Sequence, residues 1–220
     1  TTLDANLQAA TAAAMSEFKG AAVVMEPDTG KILAMVSRPS YDPNLLSLNN
    51  DSEVIVNYDQ LNQDPNEPLF NRTIGGDLYH PGSTYKLLTA AAAIENGTAT
   101  PSTTFQNPAA LPLPGTSHEI KNNWSGTCGS GPQTTLMQAM TMSCNIPIAE
   151  LAMSMDRDAV PKMARAFGFE QDLSIPLEVT PSVAPNPQDD AQAAISSIGQ
   201  LDVRATPLQM AMVSAGIAND

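Results

Sequence analysis

An α+β fold, with helices packed on an antiparallel sheet, is predicted from three features of the chain. A helical pattern at the N-terminus runs directly into a β-hairpin pattern. At least five segments carry helical signals, whereas only two strands are evident. Hydrophobic residues make up 42% of the chain but aromatics only 5%, so the core must be built from Ala, Leu, Ile, Val and 11 Met. Ala loses no side-chain entropy on entering a helix, and Ala-rich helices are the expected outcome.

The elements follow in order. Leu3, Leu7, Ala10, Ala14 and Phe18 recur at helical spacing, predicting a helix over 4–19 with Gly20 as its left-handed cap. Two apolar runs, 21–25 and 32–36, flank Pro27-Asp28-Thr29-Gly30 and predict a hairpin. Residues 40–77 are polar, with one short apolar run at 54–56, and read as a long irregular loop. The run 83–96 is the best-defined helix, stopped by Asn96-Gly97, and its Ala90–Ala93 stretch marks it as central and buried. Residues 101–132 are rich in Pro, Gly, Ser and Thr and read as loop. Two short helices then meet around Ser143, Cys144 and Asn145, and another covers 156–167 up to Gly168. Residues 176–187 are a Pro-rich loop. Thr206, Pro207 and Gln209 form a helix start of capping-box type. Two strands are marginal as a sheet, so further strands are expected after Asp220 or inside the apparent loops.

Composition excludes several functions. The formal charge is −13 and no run of Lys or Arg occurs, which argues against nucleic acid and against an anionic membrane surface. No stretch reaches the roughly 20 apolar residues that span a bilayer, and no signal peptide is present. The start at Thr1 and the end in "GIAND" give both ends the look of cuts from something longer. His80 and His118 lie at no metal-like spacing, so neither a metal nor another cofactor is expected. Cys128 and Cys144 are either two buried thiols or one disulfide, and residue spacing does not choose between them.

Ser83-Thr84-Tyr85-Lys86 matches S-x-x-K, and so does Ser16-Glu17-Phe18-Lys19. Position separates them. Ser16 falls near the end of its helix, where the dipole disfavours a nascent anion. Ser83 opens its helix, where free N–H groups favour one. A Ser hydroxyl is a poor nucleophile until a base takes its proton, and a buried Lys at i+3 can be that base. Taken alone, Ser83 is equally well a plain N-cap and Lys86 a solvated lysine. Ser143-Cys144-Asn145 matches S-x-N, with a second match at Ser47-Leu48-Asn49 in the polar loop. By itself Ser143-Cys144-Asn145 reads first as a helix-end cap. Trp124, the single tryptophan, either walls a cleft or packs in the core.

Together these motifs resemble the penicillin-binding proteins and serine β-lactamases, whose signature joins S-x-x-K with S-x-N and K-T-G. The stretch "NRTIGGDLYHPGSTYK" is similar to the family's approach to its nucleophile. The stretches "TTLDANLQ", "AAVVMEPDTGKILAMVS" and "SSIGQLDVRATPLQMAMVSAGIAND" resemble, in order, other parts of a class B transpeptidase domain, nearest to the actinobacterial PBPA type. The resemblance implies the penicillin-binding/serine β-lactamase-like fold, an antiparallel sheet flanked by helices. Residues 1–220 would be the N-terminal and central part of one such domain.

It also implies a peptidoglycan D,D-transpeptidase that cross-links stem peptides ending in D-Ala-D-Ala and is acylated by β-lactams. Ser83 would be the nucleophile, Lys86 its base, Ser143 a proton carrier, and Asn145 a ligand for the substrate carbonyl that also helps hold Lys86. Septal cell-wall synthesis proteins are implied partners. The implied location is the extracytoplasmic face of the cell membrane, reached through an anchor outside this sequence. In that setting a Cys128–Cys144 disulfide becomes the better reading. No Lys-Thr-Gly or Lys-Ser-Gly occurs in the 220 residues, so the third motif and its strands are expected beyond Asp220. His80 is expected to be a loop residue without a catalytic role. A β-lactamase or β-lactam sensor shares the nucleophile; for the lactamase, Glu170 and Glu178 are the acidic candidates for activating water.

Overall fold

In the computed structural model, which describes residues 1–76, 78–124, 126–173 and 175–219, the first helix is α1, Ala5–Ala14. Asp4 caps it by accepting from the Leu7 N–H at 2.8 Å. The helix stops five residues short of the expected end, and Gly20 opens a strand instead of capping it. The predicted hairpin is present as β1 (Gly20–Met25) and β2 (Ile32–Arg38), antiparallel, with a bulge at Val24/Met25. Gln8 of α1 covers the outer edge of β2, donating from Nε2 to Met35 O and accepting from Met35 N, each at 2.8 Å. Asp4 N–H donates to Leu33 O at 2.9 Å on the same strand, so the N-terminal segment covers this edge with backbone and side chain together.

These elements belong to a compact unit formed by Thr1–Leu78, Asp172–Thr180 and Thr206–Asp220. Its core joins Ile74, Val179 and Leu208, packed by Val23, Met25, Ile32, Met35 and Met212. The last helix of the chain, α8 (Pro207–Ala218), starts as predicted: the Thr206 side chain accepts from the Gln209 N–H at 3.0 Å. The segment 40–77, expected to be loop, holds the 13-residue helix α2 (Asp51–Gln63); residue 77 lies outside the described residues. No residue of α2 is buried, so its sequence carries little apolar periodicity. Asp51 and Glu53 in its first turn suit the helix dipole instead. Arg72, expected only as part of a family stretch, is buried and donates to the carbonyls of Asn66 and Glu67 at 2.7 and 3.0 Å. It tethers the segment after α2.

The second unit comprises Tyr79–Gln171 and Pro181–Ala205. Its central helix is α3, Lys86–Glu95, with Leu88, Thr89, Ala90, Ala92 and Ala93 buried. Around it lie α4 (Leu136–Met142), α5 (Ile146–Met153), α6 (Ala159–Ala166) and α7 (Asp190–Ser196). Helix α7 carries no apolar residue larger than Ala except Ile195, which hides it from a hydropathy reading. The expected loop 101–132 contains β3 (Thr104–Gln106), β4 (Ala110–Pro112) and β5 (Glu119–Lys121). Strand β3 pairs with β6 (Gln133–Thr135), and β4 pairs with β5. Three residues are too few to display a period of two, so such strands look like loop in sequence. Ile120 of β5 packs with Leu113, Ile146, Ala149, Ala191 and Ala194, which fixes the β4–β5 hairpin to α5 and α7.

Candidate active site

All four candidate residues lie in this second unit. Ser83 is exposed. It sits not on the α-helix itself but on a 3₁₀ turn, Gly82–Tyr85, that leads into α3. In a 3₁₀ turn residues i and i+3 eclipse, so the tighter winding stacks Ser83 and Lys86 more directly than an α-turn does. The Lys86 N–H donates to the Ser83 carbonyl. Thr84 Oγ1 closes the turn by donating to Pro81 O at 2.7 Å.

A close backbone crossing fixes the turn from behind. Gly82 N donates to Gly199 O at 3.0 Å. Gly199 has φ +73°, and a Cβ there would come within 2.6 Å of the Gly82 nitrogen. Beside it, Tyr85 packs edge-on against Phe169 with ring centroids 5.8 Å apart. Thr89 Oγ1 donates to Ser197 O at 2.7 Å, joining α3 to the end of α7.

Lys86 is 1% exposed. Burial penalises its ammonium form and lowers its pKa from 10.5 to about 8. About one in ten such amines is neutral at pH 7, against about one in three thousand for an ordinary lysine. Its Nζ donates to Ser143 O at 2.7 Å and to Ser143 Oγ at 3.2 Å. S-x-x-K and S-x-N are thus brought together across 57 residues of sequence.

Ser143 ends α4 in the left-handed region, φ 58° and ψ 41°. The Cys144 N–H reaches back to Ala139 O at 2.8 Å, a helix stop that usually has Gly at this position. The left-handed turn directs the Ser143 carbonyl to Lys86. Cys144 is joined to Cys128 by a disulfide with Cα atoms 5.8 Å apart. Asn107 clamps Cys128 in turn: its Oδ1 accepts from Cys128 N at 2.6 Å and its Nδ2 donates to Cys128 O at 3.0 Å.

Asn145 stands at the start of α5. Its Nδ2 donates to Lys121 O at 2.8 Å and to Asn123 Oδ1 at 3.4 Å. The amide nitrogen that was expected to hold a substrate carbonyl is engaged by the β4–β5 hairpin. Asn107 and Asn122 are the residues that sequence reasoning missed. Both are buried, but a buried Asn in a polar stretch leaves no periodic mark. Trp124 is exposed and donates from Nε1 to Thr127 O at 3.0 Å within its own loop. His80 is exposed, with Nδ1 2.8 Å from Arg204 Nη1. A cavity of about 830 Å³ beside the end of α3 and α6 is lined by none of the four candidates. Among the described residues no His, Cys, Asp or Glu cluster could hold a metal ion.

The penicillin-binding protein transpeptidase domain family matches residues 20–220. The chain belongs to this family. Its fold is the penicillin-binding transpeptidase fold, built here from helices and small antiparallel sheets. Within the family it is similar to the class B enzymes of PBPA type. It is 44% identical over 203 residues to the peptidoglycan D,D-transpeptidase PbpA of Mycolicibacterium smegmatis, covering 92% of this chain and 41% of that one. It is 34% identical over 228 residues to the peptidoglycan D,D-transpeptidase MrdA of Acinetobacter baumannii, covering 99% and 33%. The structure of penicillin-binding protein A from M. tuberculosis as a penicillin G acyl-enzyme matches with TM-score 0.94 and 41% identity, over 100% of this chain and 51% of that one. This penicillin-binding transpeptidase chain therefore spans about two fifths or less of the curated relatives it matches here. Among the described residues no helix is long and apolar enough to cross a membrane.

Proposed function

We propose that this chain carries the acyl-transfer residues of a serine-type peptidoglycan D,D-transpeptidase. The observation that carries the reading is the buried Lys86 amine, set against Ser143 and one 3₁₀ turn from the exposed Ser83. Lys86 takes the Ser83 proton as Ser83 Oγ attacks the D-Ala-D-Ala carbonyl of a stem peptide. The C–N bond breaks, and the departing D-Ala amine receives a proton by way of Ser143 and Lys86. An amine of a second stem peptide then attacks the acyl-enzyme, forms the cross-link and releases Ser83. The Ser83 N–H contributes one oxyanion donor. Asn145 borders the donor peptide. Release of its Nδ2 from Lys121 O is the step that would let it hold the peptide carbonyl.

β-Lactams acylate the same serine. The relatives' acyl-enzyme structures with penicillin G and other β-lactams support this. The stem peptides and septal cell-wall proteins are the proposed partners. The proposed location is outside the cytoplasmic membrane, which the Cys128–Cys144 disulfide favours. Residues 1–220 read as part of one transpeptidase domain, and the 20–220 family match supports that reading.

A hydrolytic, lactamase-like use of the site lacks a free carboxylate at Glu170. Its Oε2 faces Arg165 Nη1 at 3.2 Å and its Oε1 accepts from Ala184 N at 3.3 Å. Intact mass of the full-length protein, before and after penicillin G, tests the function. A stable single adduct, absent from Ser83→Ala, is expected. An adduct that persists in Ser83→Ala removes Ser83 as nucleophile, and rapid loss of the adduct would favour a hydrolase.

A further inference from the structure

Helix α5 begins immediately after the S-x-N motif, and its N-terminus needs hydrogen-bond acceptors. Asn145, its N-cap residue, cannot supply one. Its backbone is helical (φ −86°, ψ −42°) where a self-capping residue is extended, and its side chain makes no cap bond. Pro147, in the first turn, has no N–H. The acceptor comes from outside. Asn122 Oδ1 accepts from Asn145 N at 2.8 Å and from Ile146 N at 3.4 Å, while Asn122 Nδ2 donates to Gly126 O at 2.9 Å. Asn122 is 5% exposed, and the strand before it is pinned by Ile120 in the core shared with Ile146 and Ala149.

We propose that Asn122 is a positioning residue of the acyl-transfer site, acting as an external cap that sets Asn145 and, through it, the Ser143–Lys86 contact. The external cap has a chemical consequence. Because Asn122 takes the backbone N–H groups, the Asn145 carboxamide is not spent on capping and is held instead by Lys121 O and Asn123 Oδ1. Residues 121–123 thus fix both the backbone and the side chain of Asn145. Without the Asn122 oxygen, two N–H groups lose their acceptor, and the turn can relieve them only by moving Ser143 or Asn145. Either movement misaligns the Lys86 amine or the substrate-facing amide, and the required geometry tolerates little of it.

The inference rests on the transpeptidase reading, and the test separates the two. In the full-length protein, the second-order rate of acylation by a fluorescent penicillin is measured for wild type, Asn122→Ala, Asn122→Asp and Val179→Ala, with melting temperatures alongside. Asn122→Asp keeps the oxygen acceptor for the two N–H groups, but replaces the donor to Gly126 O by a carboxylate oxygen and adds a charge. Val179→Ala loosens the core of the other unit and reports the effect of lost stability alone. The expected result is a tenfold or greater loss of acylation in Asn122→Ala, recovery to within about threefold in Asn122→Asp, and near wild-type acylation in Val179→Ala. The proposal is overturned if Asn122→Ala acylates as wild type, if Asp fails to restore what Ala loses, or if Val179→Ala loses as much at an equal fall in melting temperature. A wild-type protein that is never acylated at Ser83 would instead overturn the transpeptidase reading.

Discussion

Lys86 and Ser143 hold opposing physical demands in a single contact. The amine is buried, which favours its neutral form, and its partner carbonyl is delivered by a left-handed non-glycine residue. Lysine burial sets a pH signature. Because its pKa falls to about 8 in the folded protein, acylation of Ser83 should rise with pH through a midpoint of about 8 and level off above it. A pH profile of the acylation rate measures this, and a midpoint at or above 10 would remove Lys86 as the base. The same shift bears on stability. Between about 8 and the ordinary lysine value the unfolded chain holds more protons at this site, so its contribution to stability rises with pH across that window.

Ser143 carries the second residue-scale prediction. The left-handed turn costs a non-glycine residue on the order of 1 kcal/mol. Ser143→Gly should therefore raise stability by up to about 1 kcal/mol, read by denaturant unfolding, while lowering acylation through loss of the hydroxyl beside Lys86. A variant that is both more stable and equally fast would show that the hydroxyl is dispensable.

At the scale of elements, the turn bearing the proposed nucleophile rests against a glycine that belongs to another segment. Gly199 follows α7 and touches the backbone of Gly82 at a φ that favours glycine. Gly199→Ala adds a methyl group where backbone already stands, so the 3₁₀ turn must shift. A loss of about 1–3 kcal/mol in unfolding free energy is expected, with slower acylation of Ser83. Unchanged acylation at full occupancy of the fold would mean that the turn tolerates displacement. Helix punctuation and i, i+3 spacing are local, so the sequence singles out Ser83 and Lys86 as candidates. The spacing predicts an α-turn; the structure has a 3₁₀ turn there, with Gly82 backed by Gly199, a long-range contact that sequence spacing does not reveal. The strands β3 to β5 were hidden for a related reason: their pairing partners, not their own patterns, make them strands.

At the scale of the molecule, the Cys128–Cys144 disulfide closes a loop with a sequence separation of 16 and ends within S-x-N. Loops of about this length contribute roughly 3 kcal/mol of stability. Cys128→Ser with Cys144→Ser should lower unfolding free energy by that order and slow acylation, since the turn bearing Ser143 loses its tether. Equal acylation in the reduced and oxidised protein would assign the bond to stability alone. The charge of −13 speaks to solubility more than to chemistry.

The sequence by itself determined the α+β class, Ser83 and Lys86 as candidates one turn apart at a helix start, and the S-x-N motif at a helix junction. All of these are local patterns of spacing, capping and residue chemistry. Only the tertiary structure decided that Lys86 meets Ser143, that Asn145 is held by residues 121–123, that Asn122 caps α5 from outside, and that Gly199 supports the turn. Those contacts span from 22 to 117 residues of chain. They depend on which buried polar groups find partners once the core has closed, and that is a property of packing, which no periodicity along the chain records.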